Sequence, residues 1–292
     1  MAAYGATMQV LQPYKNILAF YDGRVPGVRL FGPSENWLDD GAYALGIASY
    51  AIIDGEEALV YDAHISLIHA RMIRDELQAR GVKTMRLVLS HFHDDHVAGN
   101  EVFADCEIIA SVQTRDELLA NKAAIEAGTP PIKPLIMPNR VFDGELVLQV
   151  GETEVVLRHA DIHSFDAALA LLPAQRILLA GDTLEDPVTY VDEPERLQGH
   201  LDDLERVAAW GFDRILPNHG VAEVIAAGGY DRRLIAATKA YVEALLRLKA
   251  NNSRAGLTLR EFAADAFATG GIAYFEPYEA VHRLNVEAVL QR

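Results

Sequence analysis

A chain of 292 residues, half of them hydrophobic, is long enough for one large domain or two small ones with a substantial buried core. Its 42 acidic against 26 basic residues give a formal net charge of -16, a field that repels phosphate backbones and counts against nucleic-acid binding. The single cysteine, Cys106, excludes an intramolecular disulfide and a thiolate metal cluster. Residues Met1 to Gln12 carry neither a basic nor an apolar targeting region. No apolar run approaches the ~20 residues of a membrane span, so a cytoplasmic location off the membrane is expected.

In chain order, Ile17 to Phe20 and Val28 to Phe31 read as short strands separated by turn dipeptides. Gly32 to Gly41 is polar and reads as a loop with Trp37 near its tip. Ile47 to Ile53 and Ala58 to Tyr61 form a hairpin about Asp54-Gly55, and the second run ends in Asp62. Apolar positions at Ile65, Ile68, Met72 and Leu77 have helical spacing, closed by Gly81. Met85 to Leu89 is a further strand, so strand, helix and strand point to an α/β layer architecture. Glu107 to Ala110 is a strand and Val112 to Asn121 a helix, followed by an irregular connection with Pro130, Pro131, Pro134 and Pro138. Four β segments come next, at Leu146 to Val150, Glu154 to Leu157, Ala167 to Leu172 and Ile177 to Ala180. Leu197 to Ala208 is a helix and Ile215-Leu216 a last core strand, beyond which the chain turns helical. Within that tail, Thr258-Leu259-Arg260-Glu261 reads as a capping box.

Chemistry is densest in His91-Phe92-His93-Asp94-Asp95-His96, directly after the strand ending at Leu89. Imidazole nitrogens and carboxylate oxygens are the donors that Zn²⁺ and similar ions take. A surface loop has no need of three histidines in six residues, so this reads as a metal site. Further donors should then stand at later strand exits, and three do: His163 between two β runs, Asp182 after Ile177 to Leu179, and His219 after Ile215-Leu216. Each alone would pass for a structural residue. His69 and His200 fall on predicted helices and are expected to be surface or capping residues, while His159 is a weak candidate for a supporting role.

With these residues in order, the chain resembles the metallo-β-lactamase superfamily over roughly Ile47 to Gly220. Its H-x-H-x-D-H motif is matched in full by His91, His93, Asp95 and His96. The later metal histidine of that family maps onto His163, the bridging aspartate onto Asp182, the final histidine onto His219, and the supporting aspartate after an early strand onto Asp62. The resemblance implies an α/β fold, an αββα sandwich expected over residues 1–230, and the helical tail, 231–292, reads as a C-terminal extension packed on it. It also implies two divalent metal ions at the open edge between the sheets, Zn²⁺ first and Fe or Mn as alternatives. His91, His93 and His163 would hold one ion, Asp95, His96 and His219 the other, and Asp182 would bridge them. Two details qualify the match. Asp161-Ile162 precedes His163 where the family often has Pro-Gly, and His93 stands where the redox flavodiiron branch has glutamate.

Two adjacent divalent cations lower the pKa of a shared water enough to produce hydroxide near neutral pH and polarise the oxygen of the group attacked. No side-chain nucleophile is then needed, and no persuasive Ser-His or Cys-His arrangement stands out in the sequence. The expectation is hydrolysis of a small carbonyl substrate (lactone, ester or thioester, with β-lactams also within reach), Asp95 relaying a proton to the leaving group. The alternatives are a phosphodiesterase on the same two ions and a persulfide dioxygenase with one iron. The pocket should be walled by the Trp37 loop, the proline-rich segment and the stretch after Asp182. Trp37 and Tyr190 are the candidate substrate contacts. A small molecule is the expected partner, with neither nucleic acid nor membrane, and the helical tail could shape the pocket or join two copies as a homodimer.

Overall fold

The structure, a computed structural model, describes residues 5–23, 27–39 and 41–291. Seven strands form the first sheet in chain order: β1 (Met8–Tyr14), β2 (Ile17–Asp22), β3 (Ile47–Asp54), β4 (Glu57–Tyr61), β5 (Thr84–Val88), β6 (Glu107–Ser111) and β7 (Arg140–Phe142). Neighbours from β1 to β4 are antiparallel and those from β4 to β7 parallel. The second sheet holds β8 (Glu145–Val150), β9 (Thr153–His159), β10 (Ala168–Leu172), β11 (Ile177–Gly181) and β12 (Arg214–Pro217), in the order β12-β11-β10-β9-β8. Only its β11–β12 pair is parallel.

The period-two alternation of the strands decides the layers. On β4, Leu59 and Tyr61 enter the core between the sheets while Val60 points to the outer helices. On β5 and β6, Val88 and Ile109 face inward, and Leu87, Ile108 and Ala110 face outward. Against that outward face pack Ala70, Ile73 and Leu77 of α1 (Leu67–Ala79) and Leu118 and Ile125 of α3 (Val112–Ala127). A one-turn helix, α2 (Asp94–Val97), lies between them in sequence. Behind the second sheet, Leu204 and Val207 of α4 (Leu197–Ala208) close the other side. The result is an αββα sandwich. Two buried tyrosine hydroxyls tie the sheets together, Tyr61 donating to the Ala168 carbonyl at 2.7 Å and Tyr50 to that of Pro217 at 2.5 Å.

The remaining helices are α5 (Ala222–Ala226), α6 (Arg233–Ala250), α7 (Leu259–Phe262), α8 (Ala264–Ala268) and α9 (Glu279–Leu290). Tyr241 and Leu245 of α6, Phe262 of α7 and Val281 of α9 share one apolar cluster with Val188 and Val191 from the segment after β11. Asn285 of α9 fixes that segment, its side chain accepting from Val191 N at 2.8 Å and donating to the Thr189 carbonyl at 3.0 Å. The capping box at Thr258 and Glu261 is present.

Three expectations change. Val28 to Phe31 is not a strand, and the edge pairing goes instead to β1, whose mixed, half-exposed sequence gives little periodic signal. A three-residue strand that the sequence did not suggest, β7, begins at Arg140, where the segment read as irregular ends. His69 and His200 are buried rather than on the surface. Ser66 Oγ, the cap of α1, lies 2.7 Å from His69 Nδ1, and His69 Nε2 lies 2.5 Å from Asp22 Oδ2. A Ser-His-Asp line therefore exists, tying the end of β2 to the start of α1.

The turn that carries Asp95 and His96 is seated on the chain just beyond β4: the His96 carbonyl accepts from Ala63 N at 2.8 Å. Gly99 allows this approach, because a Cβ there would stand 2.0 Å from the Ala63 carbonyl oxygen. Gly99→Ala should therefore cost on the order of 3 kcal/mol, the upper end for overpacking. Denaturant unfolding measures it, and an unchanged midpoint would contradict this packing.

Candidate metal centre

All the donor residues singled out in the sequence come to one edge of the sandwich. His91 and His93 follow β5, while Asp95 and His96 occupy the α2 turn. His163 lies in the β9–β10 connection, Asp182 directly follows β11, and His219 follows β12. Because β11 and β12 are parallel, their exits deliver Asp182 and His219 side by side. His163 adopts φ +68 and the Gly181 that precedes Asp182 adopts φ +56, so both turns use the left-handed region.

The donor atoms fall into two sets, His91 with His93 and His163, and Asp95 with His96, Asp182 and His219. His93 Nδ1 lies 2.9 Å from His91 Nε2 and 3.2 Å from His163 Nε2. In the second set, Asp95 Oδ2 stands 3.0 Å from His96 Nε2 and 3.5 Å from His219 Nε2. Asp182 Oδ2 reaches both sets: 3.0 Å to His96 Nε2, 3.5 Å to His219 Nε2, 3.7 Å to His91 Nε2 and 3.8 Å to His163 Nε2. Its other oxygen, Oδ1, is buried without a hydrogen-bond partner.

The far side of each ring explains the near side. His219 Nδ1 faces the Gly46 carbonyl at 2.8 Å and His163 Nδ1 the Tyr190 carbonyl at 3.2 Å. His96 Nδ1 faces Asp62 Oδ2 at 3.0 Å and His93 Nε2 faces Asp192 Oδ2 at 3.3 Å. These partners only accept, so each outer nitrogen carries a hydrogen, and a ring that is neutral turns its lone pair inward. His91 Nδ1 pairs with the Ser90 hydroxyl at 2.9 Å. Lone pairs converging on one another and on a half-unpartnered carboxylate are the donor set of a borderline divalent cation, with outer partners of the type that orient metal-binding histidines. The residues fit the group.

Charges in the metal-free protein support this. Burial would lower the His96 and His219 imidazoles, but Asp182 and the carboxylates beside it outweigh burial and raise both well above the ordinary histidine value. Burial would raise Asp95 and Asp182, yet His96 and His219 hold both well below the usual carboxylate range. Protons on the second set thus take the place of a cation. In the first set burial pushes His163 down to about 4 and His91 well below its ordinary value, whereas at His93 burial is outweighed by the hydrogen bond to Asp192 and the imidazole is raised.

Asp62 lies behind these rings: Oδ1 accepts from Ser90 N at 2.7 Å, while Oδ2 accepts from His96 Nδ1 and, at 2.6 Å, from Asn218 Nδ2. Sequence reasoning missed Ser90, Asn218, Asp192 and Glu185. The first two adjoin donor residues, the only signal they offered, and the other two lie in the segment after β11. His159 does not join the site; its Nε2 meets the Phe165 carbonyl at 2.7 Å. The Asp161-Ile162 departure is anchored from α4, Asp161 N donating to Asp203 at 2.6 Å and its carboxylate pairing with Arg196.

A cavity of about 320 Å³ opens over the donors. Trp37, Tyr43, Phe92 and Ile125 form its apolar wall, and Tyr190, Asp94, Glu185 and Asp192 line it as well. Trp37 Nε1 donates to the Pro130 carbonyl at 2.9 Å, so the Trp37 loop and the proline-rich segment do meet at this mouth.

A family model described as the Metallo-beta-lactamase superfamily matches residues 42–252. The chain belongs to the metallo-β-lactamase superfamily. Solved structures share the fold at low identity. The DIM-1 metallo-β-lactamase exposed to ceftazidime is 20% identical with TM-score 0.60, covering 81% of this chain and 96% of its own. VMB-1 is 16% identical with TM-score 0.62, covering 83% and 100%. A metallo-β-lactamase from Pontibacter korlensis is 14% identical with TM-score 0.61, covering 81% and 99%. Metal-dependent hydrolysis is the prevailing chemistry of that superfamily, and the His/Asp clusters here are of the type that holds divalent metal. Among the described residues no helix is long and apolar enough to cross a membrane.

Two measurements test the centre. Asp62→Asn removes the charge that orients His96 and should weaken zinc binding about 10–100-fold in a chelator competition; unchanged affinity would contradict the role. Protons on His96 and His219 compete with metal, and their raised pKa values set the sign. Zinc affinity should climb as pH rises from about 6 to about 9, with protons released on uptake. Affinity independent of pH would show that the histidines are already unprotonated.

Proposed function

We propose that this protein is a dinuclear metal-dependent hydrolase of small carbonyl substrates: lactones, esters or thioesters. The observation that carries the reading is Asp182 Oδ2 standing within 3.8 Å of histidine nitrogens from both donor sets, with its second oxygen unpartnered. His91, His93 and His163 would hold one ion, Asp95, His96 and His219 the second, and Asp182 both. Two divalent ions, Zn²⁺ first, would supply an activated water and polarise the acyl oxygen.

The chain's own groups do the rest. Asp62, Asp192 and the Gly46 and Tyr190 carbonyls hold the imidazoles in the tautomer that presents lone pairs inward. Asp95 lines the cavity, held ionised in the metal-free protein by His96 and His219, and there it can accept a proton and pass it to the departing group. Trp37 and Phe92 offer apolar surface to the acyl or alkyl part, and the Tyr190 side chain lines the same space.

Hydrolysis of lactone, ester and thioester panels should vanish on chelation and return with zinc, and Asp182→Ala should fall to background with its fold intact by circular dichroism. Retained turnover in a metal-free preparation, or oxygen consumption on a persulfide with one iron per chain, would overturn the reading. A β-lactam and a phosphodiester belong in the same panel, since metallo-β-lactamases are among the fold relatives.

A further inference from the structure

The two donor sets are held from different parts of the fold. His219 takes its outer partner from Gly46, just before β3, and the adjoining Leu45 carbonyl accepts from the Tyr21 hydroxyl of β2. His96 takes its partner from Asp62, just beyond β4, which Ser90 N and Asn218 hold in turn. The second set therefore hangs on the sandwich. In the first set, two of the three rings turn instead to the segment after β11: His163 Nδ1 faces the Tyr190 carbonyl and His93 Nε2 faces Asp192 Oδ2.

Residues 189–192 belong to no strand or helix, so their backbone needs partners from elsewhere. Asn285 of α9 clamps them on both sides of Tyr190, through the Val191 amide and the Thr189 carbonyl. The other amide hydrogen of Asn285 goes to the Tyr241 hydroxyl of α6 at 3.1 Å, and that hydroxyl meets His282 Nδ1 at 3.0 Å. Asn285 is fully buried with its oxygen and both its hydrogens engaged, so a single orientation of the amide satisfies it. Replacing it leaves a buried N–H and a buried C=O unpartnered, and the segment must move to satisfy them. Metal-binding rings take their orientation from their outer partners, so such a movement is felt at His163 and His93.

We propose that Asn285 is a positioning residue for one ion only: it sets the affinity of His91, His93 and His163 for their metal and leaves that of Asp95, His96 and His219 unchanged. The inference rests on the dinuclear reading of the site. Docking of α9 against α6 thereby governs how firmly the first ion is held, while the sandwich alone holds the second. Asn285 does not line the cavity, so its effect passes through Tyr190 and Asp192. A general loss of stability would weaken both sites together, whereas a positioning effect separates them.

The test compares the full chain with Asn285→Ala, Tyr241→Phe and Val289→Ala, the last an apolar truncation in the same helix and the same cluster. Loaded with cadmium-113, the unaltered protein gives two cadmium resonances. The site with three imidazoles lies downfield, because nitrogen donors deshield cadmium more than oxygen donors do. In Asn285→Ala the downfield signal shifts or broadens and the upfield one stays. In a chelator competition with zinc, one Kd rises about tenfold or more and the other holds. Tyr241→Phe, which leaves the Asn285 amide without one partner, moves the same site by a smaller factor and carries the comparison if Asn285→Ala does not fold. Val289→Ala moves neither site. Loss of both affinities together, loss of neither, or the same selective loss in Val289→Ala would overturn the proposal. The metal-free protein supplies an arm independent of the ions. There the His163 Nδ1 hydrogen exchanges with solvent faster in Asn285→Ala, while that of His219 keeps its rate. A single cadmium resonance in the unaltered protein would sink the dinuclear reading. The exchange arm then decides the clamp, and an unchanged rate at His163 overturns it.

Discussion

Imidazole lone pairs aimed at one another repel, and this fold forces that arrangement on a set of buried histidines. His93 Nδ1 sits 2.9 Å and 3.2 Å from two other ring nitrogens because a carboxylate or carbonyl behind the rings claims the hydrogens. Hydrophobic burial in the sandwich provides the free energy that holds so unfavourable a cluster together. In the metal-free protein, elevated proton affinity at His96 and His219 partly relieves the repulsion, and a divalent cation relieves it more fully.

The scaffold is arranged around that constraint. Asp62 at the end of β4 gathers Ser90 N, His96 and Asn218, three contacts from chain segments far apart in sequence. Tyr50 and Tyr61 pin the sheets at the edge where the donors emerge. The C-terminal helices take part through Asn285, which holds the backbone of Thr189 and Val191 and so the intervening Tyr190, whose carbonyl orients His163. The helical tail therefore reaches the site through main-chain geometry rather than through a side chain in the cavity.

Much of this was legible in the sequence because strand exits followed by His or Asp are local patterns. His91, His93, Asp95, His96, His163, Asp182 and His219 all stand directly beyond β runs or in the turn that follows, and all meet at one edge. What stayed hidden depends on contacts between distant segments. Asp192 and Glu185 read as ordinary loop acids until the fold places them against His93 and His163. His69 and His200 have helical surroundings that predict exposure, yet tertiary packing buries both. The edge strand β1 lacked alternation because half of it faces solvent, so its pairing with β2 could not be read from pattern alone.

The central claim is that two cations occupy this cluster with Asp182 between them. Anomalous diffraction from crystals of the zinc-loaded protein, collected on both sides of the zinc edge, tests it directly. The account predicts two peaks, one among His91, His93 and His163 and one among Asp95, His96 and His219, each in contact with the Asp182 carboxylate. A single peak, or zinc at the separate Asp161, Glu193 and His200 cluster instead, would contradict it.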